Sequence, residues 1–441
     1  MNFVTDKQTL DDLNILGKYK NNSILGLFNH TRTFGGAKLL EKMFKQPLTN
    51  LEDINKRSSI FSFFGELNVS LPFNSKEFEV LENYLRTPES KNRLVAGFNI
   101  TKSKLLKYIT NVEEYPILCE GLENTIKILS ELRTLFQEIG IASKNSPYQN
   151  EADIINEFLN NTQFDLVWQS LNEFPLPFQR VLQLDYILRG IFYAEMEIFL
   201  DNIYKLDVYI TISKIARQKK YTYANALDKE EQIISIKQIC HPCIDGAVPN
   251  DISIDGEKNV FFLTGANMAG KSTLMKSFGI AIYLAHMGFP VAAKSMIFSV
   301  HEGIYTSINV PDNLSKGYSH FYAEVLRVKN IACEVASNKQ LVVIFDELFK
   351  GTNVKDASDG TVAVVDAFSK RRGSYIISTH IMEAGEILKS NSQLFYKFLP
   401  TIVKDNIPTY PYILEEGITD DRQGMMIIKN ERVIDIINGK E

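Results

Sequence analysis

The segment TGANMAGKST, Thr264 to Thr273, contains a complete GxxxxGKS motif. Glycines at 265 and 270 permit a tight turn whose backbone amides converge on phosphate oxygens, with Ala266, Asn267, Met268 and Ala269 forming the intervening loop. Lys271 is placed to reach the β and γ phosphates, while the Ser272 hydroxyl is a ligand type suited to magnesium. A helix starting near Lys271 and running past Thr273 would add its positive end to the same anion. Two further patterns supply what hydrolysis needs. Asp346 and Glu347 end the apolar run LVVIF, putting one carboxylate where it can hold a magnesium shell and the next where it can orient the attacking water. His380 ends the run SYIISTH and is expected beside the γ phosphate as a sensor or water-positioning group. The chemistry implied is magnesium-dependent ATP hydrolysis by Lys271, Glu347 and His380.

These groups need a scaffold that brings distant segments together. After about residue 230 the chain alternates short apolar runs, 259–263, 341–345 and 374–378, with helical stretches, which is how buried parallel strands of an α/β sheet read. Before that point the period is helical: Leu39, Leu40, Met43 and Phe44 share one side of a helix, as do Leu122, Ile126, Leu129 and Leu132. The stretch from Tyr186 to Gln218 contains no proline and reads as one lever-like helix or two in succession, and Pro175 to Pro177 mark a break before it. The expected architecture is multidomain: an all-α core and lever domain over 1–228, followed by an α/β P-loop ATPase domain over 229–441.

Composition narrows the class. At 441 residues, 45% hydrophobic and 23% charged, the chain has material for more than one packed domain. Its apolar runs fall well short of the roughly 20 residues that span a bilayer, so no membrane segment is expected. Asp6, Asp11 and Asp12 interrupt what a secretory signal would need, and four scattered cysteines fit a reducing compartment, so a cytoplasmic location is expected. Cys240 and Cys243 form a CxxC without a second ligand pair nearby, which argues against zinc. A net charge of −5 excludes coating of nucleic acid by bulk charge but leaves room for a local basic stripe. The basic runs 217–220 and 370–372 read as solvated surfaces.

Together the motifs resemble those of the MutS mismatch-repair ATPases, an ABC-like family. TGANMAGKST is similar to that family's TGPNMGGKST, DELFKGTN to DEIGRGTS, and STHIME to ATHYFE. The segment DNLSKGYSHFYAE at 312–324 aligns without a gap with DDLxxGxSTFMxE. In the helical half, LFNHTRTFGGAKLL at 27–40 followed by Gln46, Pro47 and Leu48 resembles the start of the family's core domain, and Leu206, Asp207 and Val208 resemble its return to the ATPase. The resemblance implies that Ser319 faces the ATP of a partner subunit, that Asn267 lies over the phosphates, and that His241 and Pro242 border the nucleotide pocket. His30 and Arg32 are read as packing and capping residues.

The resemblance further implies ATP and magnesium as cofactors, a dimer formed through the ATPase domains, and DNA as the partner. Relatives that read mismatches carry an amino-terminal domain with a PhexGlu wedge, and no such domain precedes the core signature here. Phe64, Gly65 and Glu66 spell the tripeptide inside a helical stretch, which reads as coincidence. The span from the HTRT stretch to His241 is short by about the size of a DNA clamp, and the carboxyl end leaves no room for a helical dimer arm. The expected activity is therefore ATP-dependent gripping of DNA by backbone or shape. Two alternatives stay open: a MutS-like ATPase acting on branched or recombination DNA or as accessory to a full-length relative, and an ATP-gated interaction module without nucleic-acid binding.

Overall fold

An uninterrupted apolar run such as that at 341–345 is stable only when covered on both faces, and in the computed structural model it lies inside a sheet, with a strand on either side. The structure describes residues 2–17, 23–86, 98–105, 114–308, 320–404, 407–419, 428, 430, 431 and 433–438. The main sheet runs Glu415–Glu416, Leu394–Leu399, Val260–Gly265, Gly373–Thr379, Leu341–Asp346, Gly303–Ser307. Its neighbours are parallel except for the edge pair Leu394–Leu399 with Glu415–Glu416. The register sets Ser378 opposite both Leu263 and Asp346, so the carboxyl ends of three strands finish side by side. Openings at such ends are where ligands of α/β sheets bind.

Alternate residues of these strands serve opposite layers. Phe262, Val343, Phe345 and Ile377 form one core with Val328 and Ile331 of helix His320–Ala336 and Val365 and Phe368 of helix Val354–Ser369. On the other side, helix Lys271–His286 is buried around nearly its whole circumference. A Cβ on Gly279 would lie 2.8 Å from Leu13 and 3.0 Å from Ile344, so glycine lets this helix approach the sheet.

The chain divides into two compact units: Met1–Phe28, Met43–Ser58 and Ala216–Glu441 in one, Asn29–Lys42 and Ser59–Ile215 in the other. The sheet-bearing unit thus starts, on its long segment, at Ala216 and also takes in two segments that the sequence pattern places in a helical domain ending at 228. The physical reason lies at the sheet edge. The Val4 amide donates to the Glu302 carbonyl at 2.8 Å and the Ile304 amide to the Val4 carbonyl at 3.0 Å, so the amino-terminal segment bridges the exposed side of strand Gly303–Ser307. Helix Lys7–Asp12 then packs on the same strand, with Thr306 Oγ1 donating to Asp12 Oδ2 at 2.7 Å. The unit holds a second sheet that periodicity does not reveal, ordered Asn225–Leu227, Ser295–Ser299, Ile234–Ile239, Asn250–Ile254.

In the helical unit, Leu122, Ile126, Leu129 and Leu132 of helix Glu114–Ala142 are buried, as their spacing predicts. The stretch expected as one lever or two is a short π-helical turn, Tyr186–Ile191, followed by the 27-residue helix Tyr193–Lys219. The HTRT stretch is pinned by Asp207, whose carboxylate accepts from the Arg32 amide at 2.9 Å, the Thr33 amide at 2.8 Å and Thr33 Oγ1 at 2.7 Å. Arg32 donates to the carbonyls of Leu71 and Phe73, each at 2.8 Å, which is a packing and capping role. Phe64 lies within helix Leu51–Leu67, is 2% exposed, and packs on Phe63, Tyr148 and Tyr209, so the Phe-Gly-Glu tripeptide offers no ring to a base. Among the described residues no helix is long and apolar enough to cross a membrane.

Candidate nucleotide site

Strand Val260–Gly265 delivers the chain into a loop that only certain residues can follow. Gly265 has φ +153° and a Cβ there would lie 3.1 Å from the Leu399 carbonyl oxygen; Gly270 has φ +97° and a Cβ there would meet the Tyr412 ring at 2.9 Å. Between them Met268 adopts φ +73° and is largely exposed, while Ala269 is buried. The Leu274 amide donates to the Gly270 carbonyl at 3.0 Å, which starts helix Lys271–His286 at the loop and aims its unpaired amino-terminal N–H groups there. Lys271 is 5% exposed, and its Nζ donates to the carbonyls of Gly265 at 2.8 Å and Ala266 at 3.1 Å.

The two acids meet this loop from the end of strand Leu341–Asp346. Ser272 Oγ donates to Asp346 Oδ2 in a short hydrogen bond, and Ser378 Oγ donates to Asp346 Oδ1 at 2.6 Å. Glu347 turns out of the strand in a left-handed conformation, φ +55°, stabilised by its amide donating to the Ser378 carbonyl at 3.1 Å. Its carboxylate lies 3.5 Å from Lys271 Nζ, 3.4 Å from His380 Nδ1 and 3.6 Å from Lys350 Nζ. The hydrogen bond from His380, aided by Lys271 and Lys350, outweighs burial and holds the Glu347 carboxyl down at about 2. Glu347 is thus an anion throughout the neutral range, as an acceptor for a water proton must be. His380 itself is half exposed and touches the site through Glu347.

A cavity of about 650 Å³ opens over this cluster, bordered by Ala266 to Leu274, Asp346, Glu347 and Lys350. His241 also lines it, its imidazole pushed below the usual value by burial and by Lys276. Pro242, expected to border the pocket with it, is not among the residues that line the cavity, and its carbonyl accepts from the Tyr221 hydroxyl at 3.2 Å. The Cys240 thiol points to the Ala292 carbonyl at 3.6 Å, and among the described residues no group of His, Cys, Asp or Glu side chains has the arrangement of a metal cage. Ser319 lies outside the described residues.

Several lining residues carry no motif: Ile239, Asn250, Ile308, Leu399 and Tyr412. Tyr412 has φ +59° and is held by Asn250, whose Nδ2 donates to the Tyr412 carbonyl at 2.9 Å while its Oδ1 accepts from the Leu414 amide at 2.7 Å. Nothing local in the sequence marks Asn250 for this role, since the two residues it holds here lie more than 160 positions further on.

Residues 261–438 match the family model of MutS domain V. The DNA mismatch repair protein MutS of Bacillus cytotoxicus is 29% identical over 263 residues, covering 56% of this chain and 29% of that protein. The protein of the same name from Streptococcus pyogenes serotype M1 is 28% identical over 250 residues, covering 54% of this chain and 29% of its own. The match therefore spans less than a third of either relative's length.

Proposed function

We propose, for a chain whose residues 261–438 match the family model of MutS domain V, an ABC-like ATPase, that it hydrolyses ATP at composite sites in a dimer and uses the cycle to change its grip on DNA. The observation that carries the reading is the convergence of Lys271, Ser272, Asp346 and Glu347 on one cavity wall. The loop 265–270 and the start of helix Lys271–His286 hold the phosphates, and Lys271 exchanges its carbonyl partners for β and γ oxygens. Ser272 and Asp346 suit magnesium: two hard oxygen donors already lie in contact, and the second carboxylate oxygen is fixed by Ser378. A magnesium ion held there would neutralise developing charge on the phosphates. Glu347 accepts a hydrogen bond from the attacking water and orients it in line with the γ phosphate, while His380 keeps the carboxylate aimed and ionised. Ser319 of a second copy would complete each site, so that ATP binds the closed dimer better than the open one and hydrolysis removes the difference.

DNA enters through the relatives, whose names describe mismatch repair. The burial of Phe64 favours a grip on backbone or shape over base stacking at that tripeptide. The deciding experiment is steady-state ATP hydrolysis with homoduplex, single-mismatch and four-way-junction DNA at low and moderate salt. Stimulation by all duplexes, or chiefly by the junction, supports the proposal, and its decline with salt would report phosphate contacts. Stimulation by the mismatch alone would replace shape reading with lesion reading. No binding or stimulation even at low salt would move the function to an ATP-gated protein-interaction module.

A further inference from the structure

We propose that Ser378 is a positioning residue that fixes both acids of the site, Asp346 and Glu347, and thereby sets the affinity of the nucleotide site for its cation. The inference rests on the reading that Ser272 and Asp346 hold that cation. Ser378 stands in register with Asp346 on the adjacent parallel strand, which puts the two side chains on the same face. Its hydroxyl donates to Asp346 Oδ1 at 2.6 Å and also receives the Glu347 amide at 3.3 Å, while its own carbonyl accepts that amide at 3.1 Å. One residue therefore restrains the rotamer of the first acid and the left-handed turn that aims the second. Ser378 has 0% exposure, so water cannot substitute for a missing hydroxyl.

The two hydroxyls that bind Asp346 have different fates. Ser272 is a ligand type, and when its lone pair turns to the cation its hold on Asp346 changes. Ser378 binds the other carboxylate oxygen and keeps its hydrogen bond, so the carboxylate need not be reordered when the site is loaded. Groups that orient a metal-binding carboxylate in this way commonly change metal affinity by about 10- to 100-fold when removed.

The test is binding of a fluorescent ATP analogue while magnesium is titrated, with manganese binding followed by electron paramagnetic resonance, for the parent, Ser378→Ala, Ser378→Thr and Asp346→Asn. Ser378→Ala is expected to bind nucleotide without cation as the parent does, but to require about tenfold more magnesium or manganese for half-saturation. Ser378→Thr, which keeps the hydroxyl, should recover most of that loss, a rescue that a purely packing role would not produce. If Ser378→Ala titrates like the parent while Asp346→Asn does not, the positioning role is wrong and the cation site stands. If Asp346→Asn also titrates like the parent, the cation site itself is wrong and the inference falls with it. Should Ser378→Ala fail to fold, Ser378→Cys, nearly isosteric with a weaker donor, carries the same comparison.

Discussion

Asp12 accepts the backbone N–H of Ile308 at 3.0 Å, joining a helix near the start of the chain to a residue that lines the nucleotide cavity. The same carboxylate oxygen accepts from Thr306 Oγ1 at 2.7 Å, and Asp12 is only 4% exposed. Replacing it by alanine leaves two buried donors without this acceptor, at a cost of about 1–3 kcal/mol each. Asp12→Ala should lower the urea midpoint of the sheet-bearing unit and weaken nucleotide binding through the displaced Ile308 wall. An unchanged affinity in folded variant protein would show that this edge of the cavity does not meet the nucleotide.

Glu347 and Lys271 should separate chemistry from binding. Glu347→Gln keeps the shape and loses the water acceptor, so hydrolysis should fall by about 10²- to 10⁴-fold while ATP is retained and closed dimers accumulate. Lys271→Ala should instead lose ATP, because a buried cation beside the phosphate loop is removed. Rapid-quench hydrolysis with equilibrium nucleotide binding distinguishes the two. Hydrolysis by Glu347→Gln at the parental rate would assign the water to another group. Since Glu347 titrates near 2, any loss of activity between about pH 7 and 5 should be insensitive to Glu347→Asp.

Two histidines set an acid limit on stability. The His301 amide donates to His286 Nε2 at 2.9 Å, and His286 Nδ1 lies 2.8 Å from the Ile282 carbonyl, so His286 is neutral with its proton on Nδ1. His301 lies 2.7 Å from the Ser299 carbonyl through Nδ1 and 3.1 Å from Ser374 Oγ through Nε2. Burial, with His301 adding to it, pushes His286 down to about 3, and burial pushes His301 down to about 4. The unfolded chain takes up these protons near 6.5 and the folded chain much lower, so stability is lost as pH falls from about 6.5 towards 4. The two protons give a slope of up to about 2.7 kcal/mol per pH unit. Urea midpoints from about pH 7 to 4.5 read this directly, and His301→Gln should remove part of the slope. A flat midpoint over that range would mean that the pair titrates normally.

Asp207 organises the helical unit in a comparable way. It is 1% exposed and receives two amides and the Thr33 hydroxyl. Burial raises its carboxyl above the ordinary value, and the hydrogen bonds only partly oppose this. Asp207→Asn is nearly isosteric, yet it turns an NH₂ group towards donors, so it should destabilise by about 1–3 kcal/mol. Thermal melts of the variant test this, and a melting temperature equal to the parent's would mean that the network tolerates a donor.

How much of this can be read from residues alone depends on sequence distance. The loop 265–272, the acids at 346 and 347 and the histidine at 380 are each legible because a strand end and its functional group are neighbours in the chain. Asn250, Ile308 and Tyr412 are not, since each reaches the cavity by a contact that no local period encodes. Ser378 is an intermediate case: it sits inside a motif, but its role depends on the register that sets it opposite Asp346. Asp12 is legible only as one of several acids near the start, because Thr306 and Ile308, the partners that give it this role, lie 294 and 296 positions away.

That separation has a consequence for how the protein is made. The stretch from Val4 to Leu13 leaves the ribosome well before its partners on Gly303–Ser307, which emerge only after roughly 290 further residues, at ~5–20 residues per second a wait of roughly 15–60 s. Until then Leu13, 2% exposed once folded, has no sheet to cover it. The nascent chain must carry this segment uncommitted until those residues appear, and the sheet-bearing unit can close only when both of its chain-distant parts have emerged.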